Sequence, residues 1–363
     1  MSTIITFGEI MARLSPAAYL RVRQALPGSL NVTFAGAEAN VAVSLAYMGA
    51  QAAFVSVLPQ NDLADACVGN LKSLHVDTRF ISRTNYGRMG LYFLETGANQ
   101  RPGKVIYDRQ GSSISLTPSE KYPWKDIFSK ACWFHITGIT PALSESAAQT
   151  ALAAVKAAKE ARITVSCDLN FRKKLWLWDA NYSPRELAEK TMRQILPFVD
   201  VVFSNEEDSE DVLGIRADQT DVGSGQLAID KYPAVAQEIT SQFPNVSLVA
   251  ITLRQSISAT HNNWGAMLYE ARNKDAFFAP WRNNNFEPYQ IHHIIDRVGG
   301  GDSFAAGLIF ALTTPDLKES QTAISYATAA SCLAHSISGD FNLSKRSEIE
   351  TLMKGSESGR IVR

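Results

Sequence analysis

The 363-residue chain has only four cysteines, Cys67, Cys132, Cys167 and Cys332, and they lie far apart. None forms a CxxC pair, so the spacing supports neither a zinc site nor a disulfide framework. Charge of one sign is equally scarce: 35 basic residues face 36 acidic ones, for a net charge of −1, and neither sign forms a long run. That balance argues against nucleic acid or an anionic membrane surface as the main partner. No stretch approaches the ~18 apolar residues of a membrane span. The opening "MSTIITFGEI" has no basic segment leading into an apolar one, so a soluble, cytoplasmic protein in a reducing compartment is expected. There is also no GxxxxGK(S/T) loop, no GxGxxG fingerprint, no HExxH and no GxSxG elbow. P-loop hydrolysis, dinucleotide binding, zinc proteolysis and α/β-hydrolase chemistry thereby lose their usual sequence support. Internal repeats and low-complexity tracts are lacking too.

What is present is an alternation. "TIITFGEI" predicts a strand, "AEANVAVSLAYMGA" an Ala-rich helix and "AAFVSVLP" a second strand; "ACWFHITGI", "SAAQTALAAVKAAKEA", "ITVSCDLN", "VDVVFSNEE" and "VSLVAITLR" continue the rhythm. Strands apolar on both faces, separated by helices, predict an α/β fold with a mostly parallel sheet covered on each side. In such folds ligands meet the carboxyl ends of the strands. That rule selects Asp168, Asn170 and Arg172; Asn205, Glu206, Glu207 and Asp208; Thr252 and Arg254; and the glycines before Asp302.

Two segments break the rhythm. "RVRQALPGSLNVTFAG" and the stretch from Gly87 to Ser113 read as extended and hairpin-like. They fit a lid over the site, an edge decoration or a dimer contact, and long inserted loops favour the lid. The polar run "RADQTDVGSGQ" reads as an exposed loop, and the adjacent His292 and His293, lacking a partner at metal spacing, as the two faces of a strand.

The stretch "IIDRVGGGDSFAAGLIFAL" places Gly299, Gly300 and Gly301 directly before Asp302 and a helical pattern. Unpaired N–H groups and the positive end of the dipole gather at a helix mouth, and glycines there leave room for a phosphate. Asp302 is expected at or near the N-cap, where a carboxylate either caps the helix or serves as a base beside a phosphoryl group.

With "FAGAEANVAVSLAYMGA" near the N-terminus and "DRVGGGDSF" near the C-terminus, the sequence resembles the ribokinase-like, or PfkB, sugar kinases over nearly its whole length. "GAEANVAV", "VIYDRQGSS", "CDLNFRKKLW", "TLRQSISATHNNWGAM" and "CLAHSISGDFN" resemble the 2-keto-3-deoxygluconate kinases within that family. The resemblance implies a single three-layer α/β/α domain over 1–363, with a small β-sheet lid built from about 11–35 and 87–113. It implies ATP and Mg2+ as cofactors, a small sugar acid as partner and a homodimer through the lid. The expected reaction is phosphorylation of 2-keto-3-deoxygluconate to the 6-phosphate. The alternatives are a kinase for fructose or another neutral sugar, or a catalytically silent sugar-binding regulatory protein.

Roles follow from the resemblance. Asp302 is the implied base, and Gly299, Gly300 and Gly301 the implied anion hole. Gly36, Asn40, Tyr92, Tyr107, Arg109, Arg172 and Asp340 would meet the sugar. Asn170, Arg172, Asn205, Thr252, Arg254, Gly299 and Gly301 would meet the nucleotide, and Glu207 and Asp208 the metal through water. The helix "AISYATAASCLAHS" would wall the adenine pocket. Arginine forks pair bidentately with carboxylates, which favours a sugar acid, although each arginine also fits a surface ion pair. The signature departs from the family's usual form at Arg297, Val298 and Gly300, the acidic cluster ends in Asp208 rather than Glu, and a Gly-containing turn after "VAITLR" is missing.

Overall fold

A computed structural model describes residues 2–205, 207–215 and 229–355. The polar run 216–226 and Glu206 lie outside these. A ten-stranded sheet forms the middle layer. Its order is Asp275–Ala279, His261–Glu270, Leu248–Ser258, Val201–Ser204, Thr164–Asp168, Ala131–Thr137, Thr3–Phe7, Ala52–Pro59 and Ile81–Thr84, with Tyr289–Ile291 pairing beside His261–Glu270. From Leu248–Ser258 to Ile81–Thr84 the pairs are parallel; the remaining strands add antiparallel.

Each central strand serves two cores because successive side chains point to opposite faces. Ile5 and Phe7, with Val249, Ile251 and Leu253, join one core beneath the helices Glu145–Glu160, Pro184–Ile195 and Tyr232–Gln242. Ile4 and Ala250 join the other, beneath Ala37–Met48, Asp62–Ser73, Gly300–Leu312 and Ser320–Ala334. The helix starts are written locally. Asn61 and Ser144 accept N–H bonds from Ala64 and Ala147, and Ser183 with Glu186 makes a capping box just before Pro184. No described helix is long and apolar enough to cross a membrane.

A separate four-stranded sheet runs Asn31–Ala35, Met11–Ser15, Gly90–Glu95, Lys104–Asp108. Three of its strands come from the two segments that interrupt the alternation, and the fourth, Met11–Ser15, precedes the first of them, within the range 11–35. One detail differs from expectation: residues 22–25 form a short helix before the chain turns into Asn31–Ala35.

Two other expectations are corrected. The strand through Thr252 and Arg254 does not stop there; it runs to Ser258 and folds back as His261–Glu270, because Ser256 and Ser258 still find antiparallel partners in Asn262 and His261. The missing glycine turn is thus a longer hairpin. His292 and His293 follow the strand Tyr289–Ile291 rather than occupy its faces, and both are exposed. The His292 ring lies 4.4 Å from that of His261.

Candidate active site

The signature helix Gly300–Leu312 begins at Gly299, so Asp302 is its third residue and not its cap. The three glycines answer to three different demands. Gly299 adopts φ 85°, and a Cβ there would lie 2.3 Å from the carbonyl oxygen of Asp340. At Gly300 a Cβ would sit 3.0 Å from Cε1 of His335. At Gly301 it would meet no atom within 4 Å, in a cavity that this residue lines. Conformation and packing by themselves call for glycine at the first two; only at the third would a Cβ enter open space, and all three line the cavity.

Released from capping, the Asp302 carboxylate turns to the N-terminal motif. Its Oδ2 accepts a hydrogen bond from Asn40 Nδ2 at 2.7 Å, and Asn40 Oδ1 accepts one from the Gly36 N–H at 3.2 Å. Gly36 is needed for close approach, since a Cβ would fall 2.0 Å from the carbonyl oxygen of Glu9. Burial pushes the Asp302 pKa up to about 6, with the Asn40 bond and Arg172 opposing and Asp340 adding to the rise.

Around this pair one cavity gathers Gly36, Asn40, Tyr92, Tyr107, Arg109, Asn170, Arg172, Asn205, Asp208, Thr252, Arg254, Gly299, Gly300, Gly301, Asp302 and Asp340. Glu207 is not among them. Asn205 Oδ1 accepts from the N–H groups of both Glu207 and Asp208, and the turn so formed buries Asp208 while leaving Glu207 exposed. Burial, first of all, raises Asp208 to about 6, against the pull of Arg172. Asp168, also lining the cavity, is held well above the ordinary carboxylate range by burial and by Asp208 and Asp302.

The cations are less free than the sequence suggests. Arg109 Nε donates to Glu9 Oε2 at 2.6 Å, and the pair is buried at 7% and 3% exposure. Arg109 is therefore neither a surface ion pair nor an unopposed fork. Asp340 is bound by Arg13 at 2.5 Å and by the Tyr92 hydroxyl at 2.8 Å. Arg172 keeps one donor on the Phe171 carbonyl, 2.8 Å away. Arg297 also lines the cavity and donates to Asn262 Oδ1 at 2.7 Å. The helix Ser320–Ala334, expected to wall an adenine pocket, contributes no lining residue among those described; it is packed behind the signature helix, where Ser331 Oγ donates to the Gly300 carbonyl at 2.6 Å.

Glu9, Arg13, Glu38, Asp296 and Arg297 belong to or support the site and were not singled out for it by sequence reasoning. Glu9 follows the first strand, so the strand-end rule reaches it. Glu38 looks like a first-turn helix acid complementing the dipole. In the fold it is fully buried, its Oε1 accepting from Thr137 Oγ1 and Thr140 Oγ1, both at 2.8 Å, and burial lifts its pKa to about 7.

A helix mouth, a buried carboxylate on its first turn and a cavity between two sheets thus come together around Asp302. The family model for "pfkB family carbohydrate kinase" matches residues 1–253. The chain belongs to the pfkB family of carbohydrate kinases. The kinase has a ribokinase-like fold and is similar over its length to a crystal structure of 2-dehydro-3-deoxygluconokinase from Thermotoga maritima. The two share 44% identity and a TM-score of 0.88, covering 98% of this chain and 100% of that one. It is 30% identical over 356 residues to a 2-dehydro-3-deoxygalactonokinase of Haloferax volcanii, covering 98% of both chains. With a 2-dehydro-3-deoxygluconokinase of Bacillus subtilis it shares 26% identity over 306 residues, 84% of this chain and 81% of the relative.

Proposed function

We propose that this kinase transfers the γ-phosphoryl group of ATP to the terminal hydroxyl of 2-dehydro-3-deoxygluconate, the 2-keto-3-deoxy sugar acid, giving the 6-phosphate. The observation that carries the reaction type is the Asp302 carboxylate, buried and next in sequence to Gly301, the one of the three signature glycines at which a Cβ would meet no atom within 4 Å. The end-to-end similarity to a 2-dehydro-3-deoxygluconokinase supports the substrate.

In this reading Asp302 orients the sugar hydroxyl and takes its proton. As the sugar oxygen bonds to phosphorus, the bond from phosphorus to the β-phosphate oxygen breaks and ADP leaves. The transition state is loose, so position matters more than base strength, and a carboxylate with a pKa of about 6 is ionised at neutral pH. The N–H groups at the helix mouth receive the transferring phosphoryl oxygens. Gly36, Asn40, Tyr92, Tyr107, Arg109 and Asp340 hold the sugar, with Arg172 near its carboxylate; Asn170, Asn205, Thr252 and Arg254 flank the nucleotide.

Magnesium, when bound, neutralises charge on the phosphates. Asp208, buried in the cavity, fits an outer role toward it through water. The small sheet serves as a lid that excludes water. Its outward Val32 and Ile106, 54% and 59% exposed, offer an apolar face for a homodimer. A cytoplasmic site of action, where ATP is available, goes with this reading.

The Haloferax volcanii relative favours a second substrate of the same chemistry, the galacto epimer. The test is ATP consumption by the purified kinase with magnesium against both 2-dehydro-3-deoxy acids, gluconate, fructose and ribose. Preference for a keto-deoxy acid supports the reading. Preference for fructose or ribose keeps the kinase and discards the sugar acid, and no turnover of any sugar leaves the silent scaffold.

A further inference from the structure

We propose that Arg13 is a positioning residue: it locks the small sheet to the phosphate mouth and thereby sets where Asp340 and the Gly299 turn stand relative to the sugar. Arg13 lies in the strand Met11–Ser15, is 4% exposed and does not itself line the cavity. Its guanidinium spans two carboxylates from distant parts of the chain. Nη1 donates to Asp340 Oδ1 at 2.5 Å, and Nη2 pairs with Asp296 Oδ2.

Each carboxylate is tied to the mouth of the signature helix. Asp296 Oδ1 accepts from the Val298 N–H at 3.2 Å, one residue before Gly299, and its Oδ2 accepts from the Gly339 N–H at 3.2 Å. The Asp340 carbonyl oxygen lies against Gly299, 2.3 Å from where a Cβ would be. A second residue of the small sheet, Tyr92, donates its hydroxyl to the Asp340 carboxylate at 2.8 Å. The segments carrying Asp296 and Asp340 are thus joined to the small sheet, Asp340 by both Arg13 and Tyr92 and Asp296 by the Arg13 fork.

Stability alone does not account for this choice. Replacing a buried ion network by packed apolar groups is commonly neutral or better. A lysine would place one point charge where two fixed directions are used. The groups that Arg13 orders, Asp340 and Tyr92, line the cavity. The inference rests on the proposed reading that these two side chains meet the sugar.

The test is steady-state kinetics on whichever sugar the wild-type kinase turns over best, with Arg13→Lys and with Arg13→Met/Asp296→Asn. The double variant removes a cation and one of its two anions together, leaving the network's net charge as it was. Both are checked by thermal melting. With the fold retained, kcat/KM for the sugar is expected to fall about 100-fold in the double variant, the scale of a misplacement near 1 Å. The sugar KM should rise and kcat fall while the ATP KM stays put, and Arg13→Lys should recover part of the loss. A folded double variant with wild-type sugar KM and kcat overturns the proposal, as does a loss confined to melting temperature. A wild type that prefers a neutral sugar refutes the sugar-acid reading and leaves this comparison to be made on that sugar.

Discussion

The three glycines invite a perturbation that separates folding from catalysis. Gly301 is the second residue of its helix, its φ lies outside the left-handed region, and a Cβ would meet no atom within 4 Å. Alanine should therefore fit. Its better helix propensity gives at most about 1 kcal/mol, which moves the melting temperature of a chain this size upward by about 2 °C or less. The same methyl would stand in the space that the transferring phosphoryl group is proposed to fill. Losing one well-aimed donor at such a site costs about 100-fold or more in kcat. Gly299→Ala is the contrast: its Cβ falls 2.3 Å from the Asp340 carbonyl oxygen at φ 85°, and strain of this kind costs roughly 1–3 kcal/mol. Melting curves and ADP release coupled to a dehydrogenase read both variants. A Gly301→Ala protein with unimpaired kcat and ATP KM would refute the claim that phosphate binds on that peptide, however the stability turns out.

Asp302→Asn should lower kcat by about 100- to 10,000-fold while calorimetry still detects sugar binding. In the wild type, kcat/KM should fall as pH drops through about 6, where Asp302 gains its proton. The sign for stability is the opposite: a pKa raised from 3.8 to about 6 means the folded state prefers the protonated acid. The associated stabilisation is whole below 3.8 and lost as pH rises through about 6, so the Asn variant should melt above the wild type at about pH 8 and level with it in acid. Arg109→Ala strands buried Glu9 without its cation, for a loss of roughly 3–5 kcal/mol. Arg109→Ala/Glu9→Gln should regain most of that stability without regaining turnover of the keto-deoxy acid; recovered turnover would remove Arg109 from substrate recognition.

What could be read in the sequence and what could not divide along the range of the forces involved. Strands apolar on both faces require helices above and below, so the three layers follow from local pattern, and the strand-end rule then gathers Asp168, Asn170, Asn205, Asp208, Thr252 and Arg254 with no knowledge of their contacts. The glycines were legible because a helix mouth is a local object. Asp302 does stand near the helix start, as the pattern says, but what holds the cap position as glycine is not local: a Cβ at Gly299 would meet the Asp340 carbonyl oxygen, 41 positions away in sequence. Arg13 sits in a short strand where an arginine reads as the solvent-facing half of an alternation. Its partners lie 283 and 327 positions away, and nothing in the neighbourhood of residue 13 encodes them. Glu38 is the same case within a helix: every position from Ala37 to Ala46 is buried, so the face that should hydrate a carboxylate does not exist. A charge in a sequence announces a cost of burial, but only the fold says whether a partner meets it. Of the residues that sequence alone leaves unassigned here, Arg13, Glu38 and Asp296 are buried ions whose environment is made by distant parts of the chain.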